Sequence, residues 1–425
     1  MASLLIQGGR VIDPANQVDQ LLNLVVIDGV IAELTSGCPK TDAVIPASGL
    51  IVSPGLVDLH VALRDPGYDE DEGTASGTKA ALAGGFTTIA ALPDTLPVVD
   101  NRASAEFVVL QAERAANCRV VPLGAITRNH DGAELADLGQ LAAGGAGGFT
   151  DATKAVQSAE IMRRALEYAR MLGKPLLSVP QDPTLSAGGL MHEGYYSMVL
   201  GLRGIPAAAE EIIVARDIAL AELTGGHVHL MCLSTRNSVG EVRRAKSLGI
   251  RVTADVSPHH LALTDAEMAK YDANLKVSPP LRSREHVDAL IEGLVDGTIE
   301  SISSDHRPFA AEKKSRELDH VPFGVSSLET ALAVCAMTLI EPGHLDWPDL
   351  LRLLTCGPAR ILGLKAGTLS IGCAADITLI DPSATWTVDT NQFHSRGHNT
   401  PFQGKTLRGR VLQTIVGGEV RFRRQ

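Results

Sequence analysis

Histidine, aspartate and cysteine side chains fall where strands are expected to end. His60 closes the run Val57 to His60, and Asp151 follows Gly147 to Thr150. Val179 follows Pro175 to Ser178, and Cys232 follows His227 to Met231. His259 and His260 follow Val252 to Pro258, and Asp305 and His306 follow Ile302 to Ser304. Imidazole, thiolate and carboxylate are the donors that hold a zinc ion and let it activate water. The set has gaps. A second histidine two residues after His60 would make a metal clamp, and that position is Ala62.

The elements that would position these groups alternate strand and helix through the middle of the chain. Gly85 to Leu92 reads as a strand. Ser158 caps a helix with Ile161, Ala165, Ala169 and Leu172 on one face, and Gly173 and Pro175 stop it. Ser238 to Glu241 reads as a capping box for a helix that ends at Gly249, followed by a strand over Ile250 to Val256. Glu285 to Leu294 reads as a helix and Ile299 to Ser303 as a strand. Repeats of this kind predict a parallel sheet, and their length fits a closed (β/α)8 barrel. No glycine-rich dinucleotide fingerprint follows the first strand, which weakens a doubly wound alternative. In such a barrel the chemistry sits at the C-terminal strand ends.

Both ends of the chain read as β structure. Leu22 to Ile27, Asp28-Gly29 and Val30 to Leu34 form a hairpin pattern, the Asp-Gly pair supplying the positive φ angles of a tight turn. Ala375 to Ile380 alternates as a strand, and Arg410 to Val416, Gly417-Gly418 and Glu419 to Phe422 make a second hairpin. The expected domains are a composite β-sandwich from 1–52 and 366–425, and a barrel over 53–365.

The 425 residues carry a net charge of −11, which argues against a nucleic-acid or anionic membrane surface. No apolar run reaches the roughly 20 residues that span a bilayer, and no secretory leader is visible. The six cysteines are scattered without a C-x-x-C pair, as in a reduced cytoplasmic protein.

The chain resembles class I dihydroorotases of the cyclic amidohydrolase group nearly end to end. The resemblance is carried by Pro54 to His60, Leu63 to Gly67, Gly84 to Thr88, Leu92 to Pro97, Met191 to Gly194, Pro258 to Leu261, Pro279 to Arg282, Ser304 to Pro308, Pro322 to Gly324 and Asn399 to Phe402. It implies an amidohydrolase barrel plus a β-sandwich. It also implies two metal ions held by four histidines and two aspartates. His60, Asp151 and Asp305 match that set, whereas Ala62, Val179 and Cys232 stand where the other three histidines belong. Phe309 replaces a substrate-associated histidine, and Asp94 an asparagine.

These losses predict a degenerate site with no catalytic residue and no zinc. His60, Asp151 and Asp305 are then vestigial ligands, and Arg64, Asp94, Asn274, His259 and Arg282 line a vestigial substrate pocket. His227 and His229 read as structural, and Glu312 to Arg316 as a solvated loop. The resemblance further implies a non-catalytic subunit that stabilises the aspartate transcarbamoylase catalytic chain, as a homodimer within a hetero-dodecamer of the pyrimidine pathway. The alternative is a divergent mononuclear zinc hydrolase of cyclic amides, using His60, Asp151, Asp305 and Cys232, with Asp305 as general base. A third reading is a metal-free sensor of small acids built on Arg64, His259 and Arg282.

Overall fold

The computed structural model describes residues 2–424. Eight parallel strands lie side by side in chain order: Leu56–Val61, Phe86–Ala91, Arg119–Gly124, Gly148–Phe149, Leu176–Ser178, Val228–Leu230, Val252–Val256 and Ser301–Ile302. The ring closes where Val61 bridges His306 and the Ala62 amide donates to the His306 carbonyl at 2.9 Å. The last strand end therefore sits against the first, which brings His60 and Asp305 together although 245 positions separate them. Helices cover the outside. Ala159–Met171 is capped by Ser158, whose hydroxyl accepts from the Ile161 amide at 3.3 Å, and it buries Met162, Ala165, Leu166 and Ala169.

Strands from both termini form a second eight-stranded sheet. Ser3–Asp13 pairs antiparallel with Val18–Ile27 and parallel with Ile51–Pro54, which in turn pairs with Ile377–Thr387. Asp28 and Gly29 both have positive φ and turn the first hairpin between Ile27 and Val30, as the Asp-Gly signal predicts. Val11, Leu24, Ile31, Val52, Ile377 and Ile415 share one apolar cluster of this unit. Gly55 joins the two sheets. A side chain there would collide with Thr87, its Cβ falling 2.0 Å from Oγ1, so only glycine allows the close crossing.

Two local expectations differ. The helix expected to start at Ser238 spans Arg236–Ser247 and is capped by Thr235, whose hydroxyl accepts from the Ser238 amide at 3.3 Å. The buried Glu210 carboxylate holds the amides of Ser234 and Thr235 and so fixes the start three residues earlier. The segment Glu312 to Arg316 is not simply solvated. It contains the short helix Ala311–Lys314, and the buried Lys314 ammonium donates to the carbonyls of Ala273 and Pro322. Lys313 binds Glu70 and Asp71, both at 2.7 Å.

Candidate metal centre

His60, Cys232 and Asp305 meet at the barrel mouth. Each is buried, and one ligand atom from each lies within 4.8 Å of the others. His60 Nδ1 makes no hydrogen bond and stands 3.5 Å from Asp305 Oδ1. Cys232 Sγ lies 3.8 Å from His60 Nε2. Both Cys232 and Asp305 adopt left-handed backbone conformations, with φ of 50° and 51°. Non-glycine residues hold that conformation at a cost, and such strain collects at functional sites.

The hub beneath this group is Asp255, which the sequence reading passed over. Its Oδ2 accepts from His60 Nε2 at 2.9 Å and from His229 Nε2 at 2.8 Å, while Oδ1 accepts from the Cys232 amide at 2.8 Å. Burial alone would raise the Asp255 carboxyl, but His60 and His229 hold it well below the usual carboxylate range. Burial likewise pulls His60 down, and the Asp255 carboxylate reverses this and leaves it well above an ordinary histidine. Asp305 is also held low against burial by Arg307, whose Nε donates to Oδ1 at 2.9 Å, and by His60. The Cys232 thiol is pushed up, first by burial and then by Asp305.

The remaining expected site residues divide. Asp151 stands outside this cluster. Its Oδ1 accepts from the amides of Ile126 and Thr127, both at 2.9 Å, and Oδ2 from the Thr127 hydroxyl at 2.5 Å. It borders a cavity of about 270 Å³ with His130, Lys154 and Gln181. Ala62 and Val179 pack with Leu92, Leu123, Leu177 and Met231, so apolar contacts fill the places of two lost imidazoles. Arg64 is paired with Asp94 at 2.9 Å and stacks over Phe309, its carbon Cζ 4.7 Å from the ring centre. Its Nε and Asp94 Oδ1 have no hydrogen-bond partner.

His259 is buried with neither ring nitrogen hydrogen-bonded, and its Nε2 is 3.9 Å from Asp305 Oδ2. Burial and the neighbouring His260 push its pKa down to about 3, which leaves the ring neutral. His260 is structural, linking Ser257 Oγ at 2.6 Å to the Pro279 carbonyl at 2.9 Å. Arg282 is likewise committed. It donates to Ser234 Oγ and to the Ile205 carbonyl, and approaches Glu210 at 3.9 Å. Asn274 is half-buried in the turn Ala273–Leu275.

These residues fit one zinc ion. The donors are an imidazole, a thiol and a carboxylate, three protein ligands that leave a position for water. Nδ1 of His60 has no hydrogen-bond partner and becomes a ligand atom once it gives up its proton, while Nε2–H donated to Asp255 fixes the ring, the usual support for a metal-bound histidine. The expectation of a mouth unable to hold a metal is thereby corrected. Cys232 supplies a donor where an imidazole was lost.

The comparisons with known proteins bear on the same question. A family model described as Dihydro-orotase-like matches residues 49–238. A dihydroorotase of Solibacter usitatus is 45% identical over 99% of this chain and 98% of its own length. One from Pelotomaculum thermopropionicum is 48% identical over 98% of each chain. Among solved structures, the L-hydantoinase of Arthrobacter aurescens superposes with a TM-score of 0.89 over 99% of this chain and 96% of its own, at 23% identity. That likeness concerns the fold. The full-length relatives named as dihydroorotases overturn the expectation of a non-catalytic subunit. The chain belongs to the dihydroorotase-like family of the amidohydrolases.

Proposed function

We propose that the protein is a mononuclear zinc cyclic amidohydrolase that opens a small cyclic amide or imide of the dihydroorotate class. The observation that carries this reading is the meeting of His60, Cys232 and Asp305 around an unpartnered imidazole nitrogen. A zinc ion bound there supplies a Lewis acid and lowers the pKa of a bound water. The chain's own groups do the rest. Asp305 is ionised at neutral pH, so its carboxylate accepts the proton of the attacking water. The ring C–N bond breaks, and the same proton passes to the departing nitrogen. His259 borders Asp305 as a neutral ring and orients the substrate beside it. The unpartnered Nε of Arg64 offers a donor to a substrate carboxylate, with Asp94 limiting the strength of that grip.

The test is hydrolysis of dihydroorotate, and ring closure of carbamoyl aspartate, by zinc-supplemented protein. Turnover that requires zinc and disappears in Asp305→Asn supports the reading. No turnover of either compound or of related cyclic imides contradicts it.

Among the described residues no helix is long and apolar enough to cross a membrane. We place the enzyme in the cytoplasm, in keeping with its free cysteines. The transcarbamoylase association implied by the resemblance is proposed for a catalytic chain. Co-expression tests it, and separate elution of the two chains would count against it.

A further inference from the structure

The opposite end of the barrel holds a second cavity, of about 320 Å³, remote from the strand ends that carry the candidate metal centre. His227 and Arg251 stand where the sixth and seventh strands begin, and Glu300 where the eighth begins. Arg352 and Arg360 come from the helices Trp347–Leu354 and Cys356–Ile361 that close this floor. Gly357 is packed so tightly against the Glu300 carbonyl that an added Cβ would lie 2.3 Å from it, so the floor is close-packed backbone.

The charge on this wall is unbalanced. Three guanidinium groups line one small cavity in a chain whose net charge is −11. Arg352 has a carboxylate only at 3.7 Å, from Asp349 on its own helix. Among the described residues neither Arg251 nor Arg360 has an ion-pair partner within 4 Å. Glu300 is the one carboxylate on the wall, and it is already engaged by the Lys246 ammonium and the Ala254 amide. Guanidinium groups gathered in a concave, partly shielded site attract an anion and offer it forked donors suited to phosphate. His227 agrees with this setting. Burial first, then His229 and Arg251, push its pKa down to about 4, so the ring is neutral beside the arginines.

We infer that this floor cavity is a binding site for a phosphate group, carried by inorganic phosphate or by a small phosphate monoester. The site is separate from the proposed catalysis and needs neither metal nor turnover. It is nevertheless connected to it. Taking His227 as neutral with Nε2 protonated, Nε2 donates to Thr253 Oγ1 at 2.8 Å, and that hydroxyl donates to His229 Nδ1 at 3.0 Å. His229 Nε2 then reaches Asp255, which holds His60. A wall residue of the floor cavity thus begins the hydrogen-bond chain that ends at the mouth.

The experiment is titration calorimetry of the whole protein with inorganic phosphate and, separately, with ribose 5-phosphate, at fixed ionic strength. The wild type is compared with Arg251→Ala/Arg360→Ala and with Arg251→Lys/Arg360→Lys. Circular dichroism checks that the variants fold, which the exposure of both residues favours. Saturable binding weakened at least about tenfold in the alanine pair, and less in the lysine pair, supports the site. Tighter binding of the ester identifies a metabolite ligand, and equal binding identifies free phosphate. Absence of binding, or equal binding by the wild type and the alanine pair, overturns the inference. The His227 ring resonances give an independent check on unmutated protein: they move on phosphate addition if the site is real, and stay still if it is not.

Discussion

His60 Nε2 lies 2.9 Å from Asp255 Oδ2, with both side chains sealed from solvent. This contact occupies Nε2, the ring nitrogen that also lies 3.8 Å from Cys232 Sγ. With Nε2 donated to Asp255, Nδ1 is left toward Asp305, where a ligand nitrogen is needed. Asp255 also holds the Cys232 amide, so one carboxylate positions two of the three candidate ligands.

Replacing Asp255 by asparagine should therefore weaken zinc binding by roughly 10–100-fold, the usual loss when a supporting partner of a metal-bound histidine is removed. It should also destabilise the fold by about 3–5 kcal/mol, because one member of a buried charged pair is left alone. Chelator competition and chemical denaturation measure the two effects. An unchanged zinc affinity would remove Asp255 from the account.

Zinc affinity should rise with pH. His60 holds its proton well above the usual histidine range, and the Cys232 thiol is pushed up as well. Both protons must leave before the donors can bind metal, so acid competes with zinc. Titrations across pH 6–9 should show tightening accompanied by proton release, and a flat profile would contradict ligation by these two groups.

Ala62→His would restore the second imidazole of the first strand. The position is fully buried among apolar side chains, so overpacking should cost about 1–3 kcal/mol without metal. Added zinc should recover part of the lost melting temperature, more than it raises that of the wild type. Equal zinc responses would show that the new ring cannot reach the cluster.

Lys314 makes the pH dependence of stability testable away from the mouth. Burial, then Lys276, push its pKa down to about 7 from the model-peptide value of 10.5. Between those values the unfolded chain binds a proton that the folded chain has released, so this group's contribution to stability rises with pH. Below about 7 the folded chain carries the full penalty of the buried charge. Relative to Lys314→Met, the wild type should gain stability from pH 7 to 10, as followed by urea denaturation. A constant difference would mean that the ammonium stays charged in place.

The barrel and the terminal sheet were legible because alternation, turn residues and strand–helix repeats are local signals. His60, Cys232 and Asp305 stand at strand ends that ring closure brings together, but the missing histidines at Ala62, Val179 and Cys232 point in the sequence to an empty, vestigial site, and the way the three side chains converge appears only in the fold. Asp255 was not legible. It lies inside a strand as one polar residue among apolar neighbours, and its importance comes from cross-strand contacts with His60 and His229 that no spacing reveals. Asp151, expected as a vestigial ligand, is hydrogen-bonded away from the cluster. Its strand-end position matches a ligand, but nearby amides and a hydroxyl consume its oxygens. Arg282 looked available for a substrate until Ser234, Ile205 and Glu210 were seen to occupy it.

In the proposed site His60, Cys232 and Asp305 hold one metal ion. Elemental analysis of tag-free protein grown with added zinc tests this most directly, with Cys232→Ser prepared in parallel. Wild-type protein should carry close to one zinc per chain, and the variant far less. Wild-type protein that holds no zinc, or a variant that holds as much as the wild type, would contradict the proposed site.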